Sequence, residues 1–303
     1  MSAPHTVTAI VVSYNTRDDT LLCLRSLREE GGTPLPIVVV DNGSTDGTPE
    51  ALRSAFPDVV VIALETNCGF GAANNAGLAR VATDYVLLIN SDARLCEGAL
   101  PTLVQHLDAH PDVGIVGPKT LNEDGTVQLS WGPDLGLWSE WRQRSRMRAI
   151  EAGNPRALRR LERECRKVAN PDWVSGSCLA ARAGAMRGLE GFDEGFFLYE
   201  EDADLCRRAR EQGWKIALDT AAVVVHRRGR SMRQAPARAI LEYHRSHLRY
   251  YRKHLPPWES FVLRAWMALR ASVAWQAARR AGDAPRRGAW ASVLALALHP
   301  GRP

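Results

Sequence analysis

The sequence lacks several features that mark particular classes of protein. Its six cysteines are scattered, with no Cys-x-x-Cys pair and no paired spacing typical of a zinc finger. No run approaches the ~20 consecutive apolar residues that a membrane-spanning helix requires. Met1 is not followed by the basic and apolar segments of a secretory signal peptide. We therefore expect reduced thiols and a cytoplasmic protein, and the lack of paired cysteines or apolar spans excludes a disulfide scaffold and an integral membrane protein.

Charge is distributed unevenly along the 303 residues. The net charge is only +5, but residues 227–303 contain 16 basic and 3 acidic side chains, whereas residues 1–226 contain 23 basic and 31 acidic ones. A basic segment of this kind suits a polyanionic partner, either phospholipid headgroups or nucleic acid, and a solvated basic surface is the simpler alternative. Charge alone does not distinguish a lipid-binding segment from a nucleic-acid-binding segment or a solvated surface.

The first half of the chain alternates short apolar runs with segments of helical periodicity. The pattern predicts strands at residues 7–14, 37–40, 59–64 and 85–89, and helices at residues 16–30, 49–55 and 71–82. This alternation is typical of an α/β fold with a mostly parallel central sheet flanked by helices.

Polar residues follow each predicted strand in this half. They are Ser13-Tyr14-Asn15, Asp41-Asn42-Gly43, Asn67-Cys68-Gly69 and Asn90-Ser91-Asp92. Ligands of open parallel sheets bind beyond the carboxyl ends of the strands, so this edge is the predicted ligand site. Taken by itself, Asp41-Asn42-Gly43 is better explained as a tight turn, because Asn and Gly tolerate positive φ, but four polar strand ends favour a ligand site.

Gly69-Phe70-Gly71 offers a competing function. It follows a strand, precedes a helix and resembles the start of a dinucleotide-binding fingerprint, which would indicate an NAD-dependent oxidoreductase. Asn74 occupies the position of the third glycine, and this departure weakens the match because that glycine permits close packing of the helix.

The second half contains a cluster of acids and a histidine that follow predicted strands. A strand is predicted at residues 173–181, and four carboxylates, Glu200, Glu201, Asp202 and Asp204, fall within five residues further on. Neighbouring acids raise one another's pKa, which favours a functional site over simple complementation of a helix N-terminus. His226 ends an apolar run at residues 223–225 and is either a structural hydrogen-bonding group or a metal ligand.

Taken in order, these segments resemble the inverting glycosyltransferases of family 2, whose nucleotide-diphospho-sugar transferase fold is called GT-A. The resemblance spans roughly residues 6–250. The motifs that carry it are Val12-Ser13-Tyr14-Asn15, residues 40–47, Asn67-Cys68-Gly69-Phe70-Gly71 with Asn74-Asn75-Ala76-Gly77, Asn90-Ser91-Asp92, residues 201–206, and His226 with Gly229 and Ser231. Phe197-Leu198-Tyr199 before Glu201-Asp202 is most similar to the rhamnosyltransferase-like branch.

The resemblance implies a role for each matched residue. Asp41 would hold the nucleotide base, Asp92 and His226 would bind Mg²⁺ or Mn²⁺, and Asp202 would be the catalytic base. The remaining nucleotide-sugar contacts would come from Ser13, Asn15, Asn67, Gly69, Asn75 and Ser91. Trp173, Gly176, Glu201 and Asp204 would contact the acceptor or support the site. Asn90 stands where the family often has a first metal-binding acid, so Asp92 is the only anionic ligand of that motif.

The resemblance also implies an organisation and a reaction. Residues 1–235 would form the catalytic domain, with a nucleotide-binding half at 1–117 and an acceptor half at 118–235. Residues 236–303 would form a basic amphipathic helical extension. The enzyme would move rhamnose or a similar sugar from a dTDP- or UDP-sugar to a glycan or lipid-linked acceptor in the synthesis of bacterial surface polysaccharide. Nucleic acid is not an expected partner, and a non-catalytic nucleic-acid binder would leave the acidic cluster unexplained.

A stripe of apolar residues at helical spacing runs through the extension. It comprises Trp258, Phe261, Val262, Ala265, Trp266, Leu269 and Val273. Tryptophan and arginine on one helix suit the interface of an anionic membrane, and core packing or a dimer contact is the alternative. Residues 142–167, with ten basic and three acidic side chains, would help to approach an anionic lipid-linked acceptor or would form an exposed helix. We therefore expect attachment to the inner face of the cell membrane.

Overall fold

A computed structural model describes residues 6–30, 35–227 and 236–299, so Gly229, Ser231 and the predicted domain boundary at 235 lie outside it. The described part contains one eight-stranded sheet and one two-stranded sheet. The large sheet is ordered β3 (Val60–Ala63), β2 (Ile37–Asp41), β1 (Val7–Ser13), β4 (Tyr85–Asn90), β9 (Cys178–Arg182), β6 (Val113–Leu121), β10 (Lys215–His226) and β5 (Ala93–Leu95). The small sheet pairs β7 (Trp131–Gly132) with β8 (Trp173–Val174).

Helices cover both faces of the large sheet. Those of the first 235 residues are α1 (Arg17–Glu30), α2 (Thr48–Ala55), α3 (Phe70–Leu78), α4 (Ala99–Ala109), α5 (Leu137–Glu151), α6 (Pro155–Cys165), α7 (Ala183–Gly188) and α8 (Glu201–Glu211). Three more follow, α9 (Pro236–His254), α10 (Pro257–Arg280) and α11 (Ala284–Leu298). The basic segment at 142–167 is thus divided between two helices: α5 ends at Glu151, Asn154 caps the N-terminus of α6, and Pro155 is the first residue of α6.

Strand direction decides where the polar strand ends meet. The strands β3, β2, β1 and β4 are parallel, as predicted for this half. The strand β9 runs antiparallel to both β4 and β6, and β10 is parallel to β6, so β4, β6 and β10 point the same way. Asp41, Asn90 and His226 therefore end their strands at one edge of a mixed sheet.

The predicted strand at 173–181 is interrupted. Residues 175–177 form a turn between β8 and β9, because Val174 pairs with Trp131 in the small sheet whereas Cys178 pairs with Ile89 in the large one. The backbone N–H of Ser175 donates to Ser130 O (2.8 Å), and that of Asn90 donates to Ser177 O (2.9 Å). The turn carries Gly176 to the edge of the large sheet, beside the end of β4.

The core follows from the apolar runs. Alternate residues of β1 and β4 face opposite sides of the sheet. On one side, Val11 and Leu87 pack with α1 and α4 in a first apolar cluster. On the other side, Ile10 and Leu88 belong to a second apolar cluster. A third cluster, which includes Tyr250, Tyr251, Leu263 and Met267, lies among α9, α10 and α11. Phe196 and Ala203 belong to the same cluster, so the C-terminal helices share this core with the region around α8.

A buried ion cluster ties α9 to α8. The side chain of Asp204 is fully buried and contacts Arg208 (2.8 Å), Lys253 (2.7 Å) and His254 (2.6 Å). Burial acts to raise the pKa of Asp204, but the hydrogen bonds of His254, Lys253 and Arg208 outweigh it and lower the pKa to about 2. Both carboxylate oxygens are thereby engaged in holding two helices together.

Replacing Asp204 with Asn should destabilise the fold strongly at pH 7, because the buried carboxylate that contacts Arg208, Lys253 and His254 loses its charge. We expect a loss of about 3 kcal/mol in the free energy of unfolding, measured by urea denaturation. The exposed pair Arg28–Asp58 supplies the matched control, since Asp58→Asn should cost less than about 1 kcal/mol. Because the pKa is depressed in the fold, the Asp204 contribution should be complete above about pH 4 and vanish as the pH falls through about 2. Equal losses in the two variants would contradict the anchoring role.

Candidate active site

Asp41 ends β2 with one carboxylate oxygen unused. Its side chain is 1% exposed, and Oδ1 accepts a hydrogen bond from the Ser44 amide (2.9 Å). Oδ2 has no hydrogen-bond partner within the described part of the chain. A buried, unpaired carboxylate oxygen is unfavourable, so Oδ2 is available to accept an N–H from a ligand.

Asn15 joins the ends of β1 and β2 around this carboxylate. It has a positive φ of 50° and its amide donates to Ser44 Oγ (2.8 Å). Its Oδ1 accepts from the Thr45 amide (2.8 Å). The predicted contact residue Asn15 thus holds the loop that follows Asp41.

Ser13 and Ser91 lie in a buried hydroxyl network beneath this loop. Ser13 Oγ is 2.8 Å from Thr20 Oγ1, and Ser91 Oγ is 2.9 Å from Thr16 Oγ1. Both serines are buried. Their hydroxyl groups contact Thr16, which precedes α1, and Thr20 in its first turn, so both serines support the strand ends.

The glycine-rich turn is explained by packing. Gly69 has a φ of 96°, and a Cβ there would lie 2.6 Å from the Phe197 carbonyl oxygen. Asn67 Oδ1 accepts from the Gly69 amide (3.0 Å) and from Asn42 Nδ2 (3.1 Å), which fixes the turn. Gly69 therefore permits close contact with the loop before α8. This packing explains why the position is glycine, and no bound dinucleotide is needed to explain it.

Asn75 binds that same loop. Its Nδ2 donates to the Phe192 carbonyl (2.9 Å) and to Glu194 Oε1 (3.0 Å), and its Oδ1 accepts from the Phe192 amide (2.8 Å). The side chain of Asn75 thus attaches α3 to the chain before α8, and its expected contact with the nucleotide-sugar stays a prediction.

Asp92 and His226 are brought together by β5. Ala93 pairs with His226 across the antiparallel strands, and His226 Nε2 lies 3.1 Å from Asp92 Oδ1. His226 Nδ1 lies 2.7 Å from Gln128 Oε1, and Gln128 Nε2 donates to Asn122 Oδ1 (2.9 Å). Because Gln128 Oε1 must accept, His226 Nδ1 carries a proton and Nε2 is the nitrogen directed at Asp92.

These two side chains fit a divalent cation with open positions. A carboxylate oxygen and an oriented imidazole nitrogen are suitable donors for Mn²⁺, and the carboxylate also suits Mg²⁺. Asn90 Oδ1, two residues before Asp92, is a buried oxygen without a partner among the described residues. No group of three or more His, Cys, Asp or Glu side chains that could hold a metal occurs within residues 6–30, 35–227 and 236–299. The remaining ligands would have to come from elsewhere, such as phosphate oxygens and water.

Asp202 lies in the first turn of α8, partly exposed. Its Oδ2 accepts from the Gly176 amide (2.9 Å) and its Oδ1 from the Ala203 amide (2.8 Å). Burial raises the pKa of Asp202 to about 6; the Gly176 amide opposes this rise, and the charge of Glu200 adds to it. A carboxylate of this kind is still ionised at neutral pH but is more basic than a free aspartate, as a general base requires.

The other acids of the cluster have different partners. Glu201 is buried, its Oε2 has no hydrogen-bond partner within the described residues, and burial followed by the charge of Asp202 raises its pKa well above the ordinary value. Asp204 belongs to the ion cluster with α9, which is a structural role. Environment thus separates acids that look alike in the sequence.

The Gly176 turn connects Asp202 with the Asp92 region. The Ser177 carbonyl accepts from Asn90 at the end of β4, and the Gly176 amide donates to Asp202. Asp202 of α8 is therefore linked through this turn to Asn90, two residues before Asp92. Trp173, which precedes this turn, donates from Nε1 to the Pro133 carbonyl (2.9 Å) and stays partly exposed.

Two residues of this site carry no recognisable signal in the sequence. Gln128 orients His226 from 98 positions away. Arg227 donates from its backbone to the Asp92 carbonyl (3.0 Å) and from its guanidinium to Asp19 (2.8 Å). Neither belongs to a motif with fixed spacing, and only tertiary structure identifies them.

The comparisons with known proteins agree with this geometry. The sequence model of Glycosyl transferase family 2 matches residues 8–158. The N-acetylglucosaminyl-diphospho-decaprenol L-rhamnosyltransferase of Mycobacterium tuberculosis is 29% identical over 285 residues, which cover 86% of this chain and 90% of that protein. The succinoglycan biosynthesis protein ExoO of Rhizobium meliloti is 35% identical over 141 residues, covering 43% of this chain and 40% of that protein.

Solved structures show the same fold at low identity. A mannosyltransferase of Pyrobaculum calidifontis, solved with GDP-Man and Mn²⁺, matches with a TM-score of 0.60 at 18% identity over 99% of this chain and 89% of that one. Residues 1–349 of TarS of S. aureus match with a TM-score of 0.52 at 17% identity over 98% and 92% of the two chains. These findings favour the transferase over the oxidoreductase. The chain has the GT-A fold and belongs to glycosyltransferase family 2.

Proposed function

We propose that this transferase moves rhamnose or a similar sugar from a dTDP- or UDP-sugar to a glycan or lipid-linked acceptor, with inversion at the anomeric carbon. The observation that carries the proposal is the Gly176 turn, which links a partly exposed Asp202 with a raised pKa to Asn90, two residues before Asp92 of the Asp92–His226 pair. The rhamnosyltransferase relative, whose name describes a lipid-diphosphate acceptor, supports the choice of sugar and acceptor and a role in bacterial surface polysaccharide synthesis.

The donor base would bind at Asp41. Uracil and thymine each present one imide N–H between two carbonyl oxygens, and the unpaired Asp41 Oδ2 can accept that hydrogen. Asn15 fixes the adjacent loop through Ser44 and Thr45. This arrangement supports a dTDP- or UDP-linked sugar.

The diphosphate would lie near Asp92 and His226, the residues that would hold Mg²⁺ or Mn²⁺. A cation bound there would supply positive charge to stabilise the departing nucleoside diphosphate. Gln128 keeps His226 in the tautomer whose Nε2 can bind a cation.

Asp202 would act on the acceptor. Its carboxylate takes the proton of the acceptor hydroxyl while that oxygen bonds to the anomeric carbon and the bond from carbon to the diphosphate oxygen breaks. The nucleoside diphosphate leaves with the bonding electrons, and Asp202 then loses the proton to solvent. Because one group attacks as the other departs from the opposite face, the configuration inverts.

A lipid-linked acceptor would lie at a membrane. We therefore also propose that α10 contacts an anionic membrane. The predicted stripe is exposed on α10: Trp258 is 61%, Phe261 69% and Leu269 67% exposed. Leu263, Met267 and Ala271 on the opposite side of the helix are buried against its neighbours. The exposure of the stripe argues against its packing in the core and supports the membrane proposal.

Neighbouring aromatic and basic residues extend this surface. Trp138 (70% exposed) and Trp141 (62%) stack on each other on α5, and Arg144 of the same helix lies over Trp266 of α10 at 4.2 Å from its ring centroid. Exposed tryptophans with arginines between them suit lipid headgroups, where each basic side chain contributes about 1 kcal/mol. Among the described residues, no helix is both long and apolar enough to cross a bilayer, so the proposed contact is peripheral.

Asp202→Asn should reduce turnover by about 10²- to 10⁴-fold, because the amide cannot accept the acceptor proton. Donor affinity, measured by calorimetry with the nucleotide-sugar, should persist. In the unaltered protein, kcat/KM should rise with pH through about 6, as Asp202 loses its proton, and then level off. Glu211→Gln, at the exposed end of the same helix, is the control and should retain activity. Transfer by Asp202→Asn at close to the normal rate would refute the assignment.

Removing divalent metal with EDTA should abolish transfer, and Mn²⁺ should restore it. Asp92→Asn should weaken Mn²⁺ binding, followed by electron paramagnetic resonance in the presence of UDP, because the anionic ligand is lost. Gln128→Leu should weaken it by about 10- to 100-fold, the usual effect of losing a partner that orients a ligand. Gln143→Leu on α5 serves as control. Unchanged Mn²⁺ affinity in Asp92→Asn would argue against this metal site.

The combined variant Phe261→Ser, Leu269→Ser should lose binding to vesicles containing anionic lipid, measured by co-sedimentation, while the melting temperature stays unchanged. These surface substitutions are preferable to removing α10, whose other side covers the third core cluster. Ser272→Ala, on the same helix, is the control and should still bind. Persistent binding by the double variant, or a dimer in ultracentrifugation that the variant disrupts without any vesicle binding, would overturn the membrane proposal.

A further inference from the structure

The turn before α8 has an unusual backbone. Tyr199 and Glu200 have φ values of 71° and 64°, and neither is glycine. Residues with side chains occupy this left-handed region only when surrounding contacts hold them there. Since Asp202 lies two residues after Glu200, the contacts that hold this turn also place the proposed base.

Three residues of α9 supply such contacts. Ser246 Oγ donates to the Leu198 carbonyl (2.8 Å), and the ring of Tyr243 packs edge-on against Tyr199 with centroids 5.7 Å apart. His247 Nδ1 lies 3.0 Å from Glu200 Oε1. The helix α9 thus contacts the turn at three places: the backbone of Leu198, the ring of Tyr199 and the carboxylate of Glu200.

His247 has a second carboxylate on its other side. Its Nε2 lies 3.0 Å from Glu140 Oε2 on α5, and the side chain is 2% exposed. Glu140 also receives a hydrogen bond from Tyr251 (2.6 Å) and one from Arg144 (2.9 Å). A buried imidazole between two carboxylates is stabilised in its charged form, so His247 forms an ionic bridge from α5 to the turn.

The titration of the neighbours supports this charge state. Burial alone would lower the pKa of His247, but Glu140 and Glu200 raise it to about 9. Facing it from α9 are Tyr243, Tyr251 and His244, and burial lowers the pKa of His244 to about 4, so His244 is neutral. Arg144 of α5 and Arg270 of α10 are further charged neighbours of this cluster, and Glu259 of α10 acts on Tyr251.

Glu200 connects the bridge to Asp202 electrostatically. Its negative charge raises the pKa of Asp202, in addition to the larger effect of burial. A cation on Glu200 offsets part of that influence. The charge of His247 therefore affects how readily Asp202 ionises, although His247 itself lies on another helix.

We propose that His247 is a positioning residue for sugar transfer: the Glu140–His247–Glu200 bridge holds the turn that presents Asp202 and offsets the charge of Glu200 beside it. The proposal rests on Asp202 being the base of the proposed transferase. It adds a function for α9, which belongs to none of the matched motifs.

Two substitutions should move the acidic limb of the kcat/KM profile in opposite directions. In His247→Gln the charge of Glu200 is no longer offset, so the limb should move to higher pH by about half a unit to one unit, and kcat should fall. In Glu200→Gln the negative charge beside Asp202 is gone, so the limb should move to lower pH by a similar amount. His244→Gln is the matched control on the same helix, since that residue is neutral, and its limb should stay in place.

The outcomes separate this inference from the proposed function. If the unaltered protein transfers no sugar from any dTDP- or UDP-sugar tested at any pH, the proposed function fails. If it is active and both variants keep the normal limb, or shift it the same way, the positioning role is refuted. Should His247→Gln fail to fold, the Glu200→Gln shift and an NMR titration of His247 in the unaltered protein remain decisive. A His247 pKa at or below 6.5 would overturn the ionic bridge.

Discussion

The hydrogen bond from the Gly176 amide to Asp202 joins the two halves of the site. Gly176 lies in the turn that enters β9, and the next residue binds Asn90 at the end of β4. Asp202 belongs to α8, whose own amide at Ala203 binds the other carboxylate oxygen. The edge of the sheet and the first turn of α8 are therefore fixed relative to each other through one carboxylate.

Environment determines what each acid can do. Asp202 is partly exposed and held by neutral amides, which leaves it ionised but basic. Asp204 is surrounded by Arg208, Lys253 and His254, so its pKa falls and its function is to hold α9. Residues 200–204 thus combine the proposed base with a structural anchor because the two carboxylates face different partners.

The C-terminal helices serve more than one purpose. The inner face of α9 grips the turn before Asp202 through Tyr243, Ser246 and His247, while α10 buries one apolar face and exposes another. Because α10 has two apolar faces, one face packs in the core while the stripe from Trp258 to Val273 stays on the surface. The proposed catalytic centre and the proposed lipid contact are consequently parts of one connected body of helices.

The alternation of apolar runs and helical segments was sufficient to predict the α/β class and the parallel strands β1 to β4, because side-chain periodicity is a local property. The motifs at Asp41, Asp92 and Asp202 likewise indicated the family. Sequence periodicity could not show that Trp173–Val174 and Cys178–Arg182 belong to different sheets, since pairing partners are distant in the chain. Nor could it separate Asp202 from Asp204 or identify Gln128 and His247, because hydrogen bonds and ion pairs between residues tens of positions apart exist only after the chain has folded. Local residue type therefore determined the fold class and the chemistry available, and tertiary contacts alone decided which of these side chains is held in a buried ion cluster and which stays partly exposed.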